Sequence, residues 1–505
     1  MPRLALIFPR VRYPSGDYPL GIAMLAAIVR ERLGWEVVVC DTTFDPRLER
    51  IGEFLDREAP DYVGVGISTL MLGEGLAAAR MASERCSSNG EPVRVFMGGP
   101  HVTVAPEAIL AEPYVDAVVL GEGEESTVAL LESWDRGDVA PVAGVWRKLG
   151  GQVQRSERRA AVRVLDDLPL PAWDLVDMEA YIAAWGQLDC FRPGLRGVNI
   201  IASRGCPYEC TFCQPVLDVM FGKKLRARTP EHVVREVVEL HRRYRIEGFW
   251  FTDDTFTTNR RWVTEFCRLL TSTGLELYWG CTTRANLIAP ELMATMAGAG
   301  LRRVGIGMES AVERIREGVY KKAVTAEAIT HTVEVARAHG VHTLLFLMLG
   351  APGETRREML QTIEAATRLP ADEASFSLFV PIPGTDLHQD MLDRGYTMSS
   401  DYTDYDYYAR QPFQHELSRR ELRLIQRWAY LRFYAHPLRW TSVSRSVSTR
   451  GGARSMGRKL LRIVPHGMAP RQPGADVRTS AAARIVRERP VGVRSHEADL
   501  LHEAG

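Results

Sequence analysis

The strongest constraint on how this chain can fold is an alternation of short, almost uninterrupted apolar runs with amphipathic helical stretches. It occurs in two series with an irregular segment between them. In the first series the runs fall at 4–8, 37–39, 62–67, 93–97 and 117–120, with helical patterns such as 21–30 interposed. A strand that is apolar on both faces has to be covered on both. The pattern therefore predicts a parallel, doubly wound, flavodoxin-like α/β sheet over residues 1–143. Ligands of such sheets sit beyond the carboxyl ends of the strands. Those ends here are rich in Gly and Ser: Gly66-Ile67-Ser68-Thr69, Gly98-Gly99-Pro100-His101 and Gly121-Glu122-Gly123-Glu124.

The second series has its runs at 198–202, 248–252, 277–281, 303–306, 343–348 and 376–380. Six strand-helix repeats over 198–390 predict a partial TIM-like (β/α)6 barrel, whose chemistry belongs at the carboxyl ends of its strands. Residues 144–197 read as a linker, because Pro169 and Pro171 favour extended chain. Residues 391–440 read as a helical extension, with an acidic, tyrosine-rich loop at 401–408 and an amphipathic helix at 421–434. The remainder, 441–505, is Arg-rich with little apolar periodicity and is predicted to be mostly disordered.

Composition narrows the class. A chain of 505 residues that is 46% hydrophobic can bury at least two cores. A formal net charge of +0 argues against a general nucleic-acid or membrane binder. Eight cysteines are too few for a disulfide scaffold and point to a reducing cytoplasm. No signal peptide or spanning segment is read, so a cytoplasmic protein is expected. Cys40, Cys86, Cys190, Cys267 and Cys281 are expected as small buried hydrophobes.

The other three cysteines lie in Ser203-Arg204-Gly205-Cys206-Pro207-Tyr208-Glu209-Cys210-Thr211-Phe212-Cys213, immediately after the first barrel strand. A 4Fe-4S cube normally takes four cysteines, so three leave one iron open for chemistry. A zinc knuckle or a set of buried thiols is the competing reading, but no nearby His or fourth Cys has finger spacing. Further motifs follow at successive strand ends: Thr252-Asp253-Asp254-Thr255, Thr282-Thr283-Arg284, Gly307-Met308-Glu309-Ser310 and Leu349-Gly350-Ala351-Pro352-Gly353-Glu354. Taken singly, each is as easily a cap or a bend.

Together with Cys-x-x-x-Cys-x-x-Cys, they resemble the radical S-adenosylmethionine (radical SAM) superfamily. That resemblance implies a cluster on Cys206, Cys210 and Cys213, with S-adenosylmethionine on the open iron, cleaved reductively to a 5'-deoxyadenosyl radical. It implies cofactor contacts at Phe212, at Asp254 for the amino group, at Arg284 for the carboxylate, at Glu309 and Ser310 for the ribose, and at Gly350 for the adenine. One departure is that the family's better-known motif carries Gly-Gly-Glu where this chain has Asp253-Asp254.

The segment Tyr18-Pro19-Leu20-Gly21-Ile22-Ala23-Met24, Asp41 and the Gly-rich turns are similar to the cobalamin-binding domain of cobalamin-dependent radical SAM enzymes. The resemblance implies cobalamin contacts at Ser68, Thr69, Leu70, Gly98, Gly99, Gly121 and Glu122. The Asp-x-His-x-x-Gly motif that supplies an axial histidine elsewhere is absent, the nearest fragment being Asp386-Leu387-His388. Binding is then expected base-off, with Ser68 to Met71 facing the lower side of the corrin. A sheet with plain Gly corners, or one holding a flavin or nucleotide, is the alternative. The family's logic implies a methyltransferase acting on an unactivated carbon, or phosphorus, of a small molecule in specialised metabolism, fed by an external donor such as flavodoxin or ferredoxin. A cyclase or oxidoreductase of the tetrapyrrole ring cyclase kind is the rival, and a corrinoid or redox sensor the non-enzyme alternative. Neither nucleic acid nor membrane is expected as a partner.

Overall fold

Strands buried on both faces need helices on both sides, and the first series folds that way. The computed structural model describes residues 1–11, 16–399, 405 and 413–440. Strands β1 (Arg3–Phe8), β2 (Glu36–Asp41), β3 (Tyr62–Gly66), β4 (Arg94–Gly98) and β5 (Ala117–Val119) run parallel in the order 2-1-3-4-5. Separate apolar clusters cover the two faces, one around Ile51, Val65 and Leu76, the other around Leu6, Ile28 and Leu130.

The sheet does not stop at five strands. β6 (Val145–Leu149) and β7 (Gln152–Gln154) extend it antiparallel, so the first part of the expected linker belongs to the sheet. What conceals β6 in the sequence is Arg147, a charge in its middle that is 1% exposed. The fold satisfies that guanidinium with the Gln154 side chain and the Ser133 hydroxyl, each at 2.8 Å.

The second series forms six parallel strands: β8 (Gly197–Ile200), then, past the short antiparallel hairpin β9 (Ser203–Arg204) and β10 (Arg226–Ala227), β11 (Gly248–Phe251), β12 (Tyr278–Thr283), β13 (Leu301–Glu309), β14 (His342–Leu349) and β15 (Glu373–Leu378). Their order is 15-14-13-12-11-8, an open barrel with helices such as Pro230–Tyr244, Arg260–Ser272 and Arg356–Arg368 outside. The largest core of the molecule lies between this sheet and those helices. The helix Arg419–Tyr434 opens on a capping box of Ser418 and Glu421. It closes the β15 edge: the Gln426 amide donates to the Phe376 carbonyl at 2.7 Å, and the Tyr430 hydroxyl accepts the Phe376 amide at 3.1 Å. These bonds take the edge-facing backbone groups of Phe376, at the middle of the strand.

One expectation needs correction, and two lie beyond reach. Cys86 is exposed and Cys190 half-buried, whereas Cys40, Cys267 and Cys281 are buried as expected. The acidic loop at 401–408, apart from Tyr405, and the segment 441–505 lie outside the described residues.

Candidate functional site

The carboxyl ends of the two sheets face one another. Helix Pro100–Val104, which follows β4, packs on helix Val216–Phe221, which follows the cysteine loop. At Gly121 a β-carbon would stand 3.5 Å from the Met220 carbonyl, and its φ of +71° is one that side chains rarely adopt.

The cysteine loop is pinned from several sides. The Cys210 carbonyl accepts the amides of Cys213 and Gln214 at 2.9 Å, turning the segment into a tight helical curl. Cys206 Sγ lies 3.6 Å from Thr255 Oγ1. Arg284, at the end of β12, stacks its guanidinium 3.8 Å from the Tyr208 ring centroid and donates to Cys210 Sγ at 3.2 Å. Its Nε is buried with no partner among the described residues. Burial pushes the thiols of Cys206 and Cys213 up.

Among the described residues no three His, Cys, Asp or Glu side chains converge on a single metal ion. A cube assigns each thiolate to its own iron, so three thiolates on one curl, beside a buried cation with an unused donor, fit an open cluster rather than a mononuclear ion.

The acids at the end of β11 divide. Asp253 is 3% exposed and turns inward, accepting the Ala202 amide at 3.0 Å and the Ser203 hydroxyl at 2.5 Å. Burial pushes its carboxyl up to about 6. Asp254 turns out to solvent at the strand end, although the protein around it still raises its pKa.

At the end of β13, Glu309 sits at φ +57° beside an irregularity in register and ion-pairs with Lys322 at 2.6 Å. Both side chains are nearly buried. A β-carbon at Gly307 would fall 2.2 Å from Lys322 Nζ, so any larger residue there would push the pair aside. Nothing in the local pattern separates Lys322 from its neighbour Lys321, and sequence reasoning missed it. Ser310 is wholly buried, its hydroxyl held between Thr362 Oγ1 at 3.0 Å and the Val312 amide at 3.1 Å. Its amide donates to the Met308 carbonyl at 2.8 Å and its carbonyl accepts Arg316 at 3.2 Å, so the ribose contact expected of Ser310 would have to displace one of these partners.

Gly350, at φ +82°, begins a loop in which Glu354 accepts the amides of Gly350 and Ala351 at 2.7 and 3.0 Å. Burial pushes Glu354 up to about 7. The Phe212 ring leans edge-on against Tyr320, 5.3 Å between centroids, within a small apolar cluster.

On the opposite sheet, Ser68, Thr69 and Leu70 follow β3, Gly98 and Gly99 end β4, and Gly121 and Glu122 follow β5. Gly99 has φ +107°, and a β-carbon there would stand 2.4 Å from the Ile67 carbonyl oxygen. Leu70 is 38% exposed at the loop tip, while Thr69 Oγ1 meets His101 Nδ1 at 3.1 Å in a buried pair. Burial pushes His101 down to about 4.

Glu122 is employed differently from expectation. Its carboxylate receives Arg204 at 3.1 Å, Arg226 at 2.7 Å and the Val162 amide at 2.8 Å, while Glu124 receives Arg204 at 2.6 Å. Burial alone would raise Glu122; the Arg226 hydrogen bonds and the Arg204 charge more than offset it and hold the acid below its ordinary range. These acids tie the first sheet to the β9–β10 hairpin that carries the cysteines.

Comparison with known proteins agrees with this geometry. Residues 14–131 match the B12 binding domain and residues 200–366 the radical SAM superfamily. An uncharacterized methyltransferase of Pyrococcus horikoshii is 31% identical over 83% of this chain and 88% of its own. The cytidylyl-2-hydroxyethylphosphonate methyltransferase of Streptomyces wedmorensis is 29% identical over 76% and 79%. The anaerobic magnesium-protoporphyrin IX monomethyl ester cyclase of Rubrivivax gelatinosus is 27% identical over 77% and 70%. The fold is shared with the radical S-adenosylmethionine methyltransferase TsrM of Kitasatospora setae, solved with cobalamin and a 4Fe-4S cluster, at a TM-score of 0.65 and 21% identity over 78% of each chain. Both halves of the chain, and a relative alike over most of both lengths, place it among the cobalamin-dependent radical SAM enzymes.

Proposed function

We propose that this enzyme is a methyltransferase acting on an unactivated carbon, or phosphorus, of a small molecule. The observation that carries the reading is the direct docking of the cysteine curl on the loops of the first sheet, through Glu122, Glu124, Arg204 and Arg226. In this reading the two cofactor sites lie face to face. The relatives named as methyltransferases support it.

In this reading Cys206, Cys210 and Cys213 hold the cluster. Arg284 takes the methionine carboxylate, for which its unused Nε is available. Asp254 takes the amino group, Glu309 the ribose, and the Gly350 loop the adenine edge. Ser68, Thr69, Leu70, Gly98, Gly99 and Gly121 cradle the corrin. The cofactors supply radical generation and the methyl group. The protein supplies orientation and exclusion of water.

The test is mass analysis of products after anaerobic incubation with isotopically methyl-labelled S-adenosylmethionine, a low-potential flavodoxin or ferredoxin, cobalamin and candidate small molecules. A product heavier by one labelled methyl group is expected, and a Cys206→Ala, Cys210→Ala, Cys213→Ala variant should form neither it nor 5'-deoxyadenosine. A substrate consumed without gain of methyl favours the cyclase reading, which the Rubrivivax relative supports.

A further inference from the structure

No helix among the described residues is long and apolar enough to cross a membrane. One surface nevertheless carries what a bilayer interface selects. Leu424 (53% exposed), Trp428 (51%) and Leu431 (53%) stand at helical spacing on the outer face of Arg419–Tyr434. The opposite face of the same helix, Leu422, Ile425, Ala429 and Phe433, is buried in the barrel core. The ridge continues through Leu438 and Trp440, the latter 63% exposed, with its indole folded back on the Ala435 carbonyl at 3.3 Å. Leu360 (37%) adds to it from the adjacent helix Arg356–Arg368, held alongside by Arg432 to Glu364 at 3.0 Å. A contiguous exposed ridge with two tryptophans is a feature that needs an occupant, unlike apolar residues scattered singly.

Charge says which occupant. Arg420, Arg423 and Arg427 line one edge of the ridge. Immediately after Trp440, residues 441–475 contain seven Lys and Arg and no Asp or Glu, in a chain whose formal net charge is +0. A second copy docking by the same face would bring two arginine rows together. A nucleic acid would take the arginines and leave the Trp and Leu side chains in water. An anionic bilayer surface takes both, with phosphates meeting the guanidinium groups while indole and leucine side chains enter the headgroup boundary. We propose that the helix Arg419–Tyr434 and the turn after it form a peripheral docking face for an anionic lipid surface.

The full-length protein, purified anaerobically, is to be sedimented with vesicles of phosphatidylcholine alone and with vesicles containing about one third phosphatidylglycerol. Binding is expected to be at least about tenfold stronger to the anionic vesicles and to weaken as salt is raised. The double variant Trp428→Ser, Trp440→Ser should bind those vesicles about tenfold more weakly. Its iron content should be unchanged and its thermal midpoint should fall only slightly, because both side chains are more than half exposed and only the Trp440 bond to the Ala435 carbonyl is lost. Val153→Ser, at a β7 position of similar exposure (50%), should bind as the wild type does. Three outcomes would overturn the proposal. One is no sedimentation with anionic vesicles, whether or not a nucleic acid or an acidic protein binds instead. Another is undiminished binding by the double variant. The third is a wild-type dimer in light scattering that Trp428→Ser dissociates.

Discussion

At the end of β11 two adjacent carboxylates meet different surroundings and should answer differently to removal. Asp254→Ala takes away the acid that faces outward, so S-adenosylmethionine binding should weaken about tenfold in equilibrium dialysis of the reconstituted protein, with iron content unchanged. Asp253 is instead part of the wall, receiving the Ala202 amide and the Ser203 hydroxyl. Its folded pKa of about 6 lies above the ordinary carboxylate value, so between these two values the folded chain holds a proton that the unfolded chain has lost. The stability tied to that proton is complete below the ordinary value and is lost as pH rises through about 6. Asp253→Asn does not titrate, and its Oδ1 can accept the Ala202 amide while its Nδ2 donates to Ser203 Oγ. Its urea midpoint, compared with wild type, should therefore improve from about pH 5 to about pH 7.5. A constant difference would mean that Asp253 does not titrate in this window. The sequence showed two acids at a strand end and the nature of that end, but not which acid turned inward, because adjacent residues on a strand point to opposite sides and the loop decides where each arrives. Lys322 was illegible for a related reason: its partner, Glu309, is thirteen positions away and meets it only through a bent strand end.

Among the elements, the β9–β10 hairpin has the least intrinsic reason to exist, with two residues per strand. Glu122 and Glu124 supply what its length cannot, by gripping Arg204 and Arg226 where all four side chains are nearly buried. Removing one partner of a buried network leaves an uncompensated charge. Glu122→Gln should accordingly lower stability by about 3 kcal/mol, read as a fall in urea midpoint. A fall under about 0.5 kcal/mol would show the network to be exchanging freely with water. The parallel strands of both sheets were legible because burial on both faces writes itself as an apolar run. β6 was not, because its buried arginine is satisfied by partners seven and fourteen residues distant. The hairpin was not, because it rests on charges contributed by another sheet.

At the scale of the whole molecule, two sheets oppose their carboxyl ends, and the β3 and β4 loops of the first offer no exposed imidazole. The histidine there, His101, is 1% exposed and its Nδ1 is paired with Thr69, whereas Leu70 occupies the open tip. The protein should bind about one equivalent of hydroxocobalamin, and its Co(II) state should give a base-off EPR spectrum without nitrogen superhyperfine splitting. Splitting from the unmodified protein would place an imidazole on the metal and remove Leu70 from that role. The charged grip between the sheets also bears on how the enzyme comes into being. Its acids lie some eighty residues or more upstream of their arginines, so on the ribosome the first sheet is complete before the cysteines emerge. The nascent cluster loop then closes against a socket already formed. Iron delivery becomes an event that follows the folding of the corrin half, and a barrel synthesised without that half would meet the assembly machinery with its cysteines unshaped.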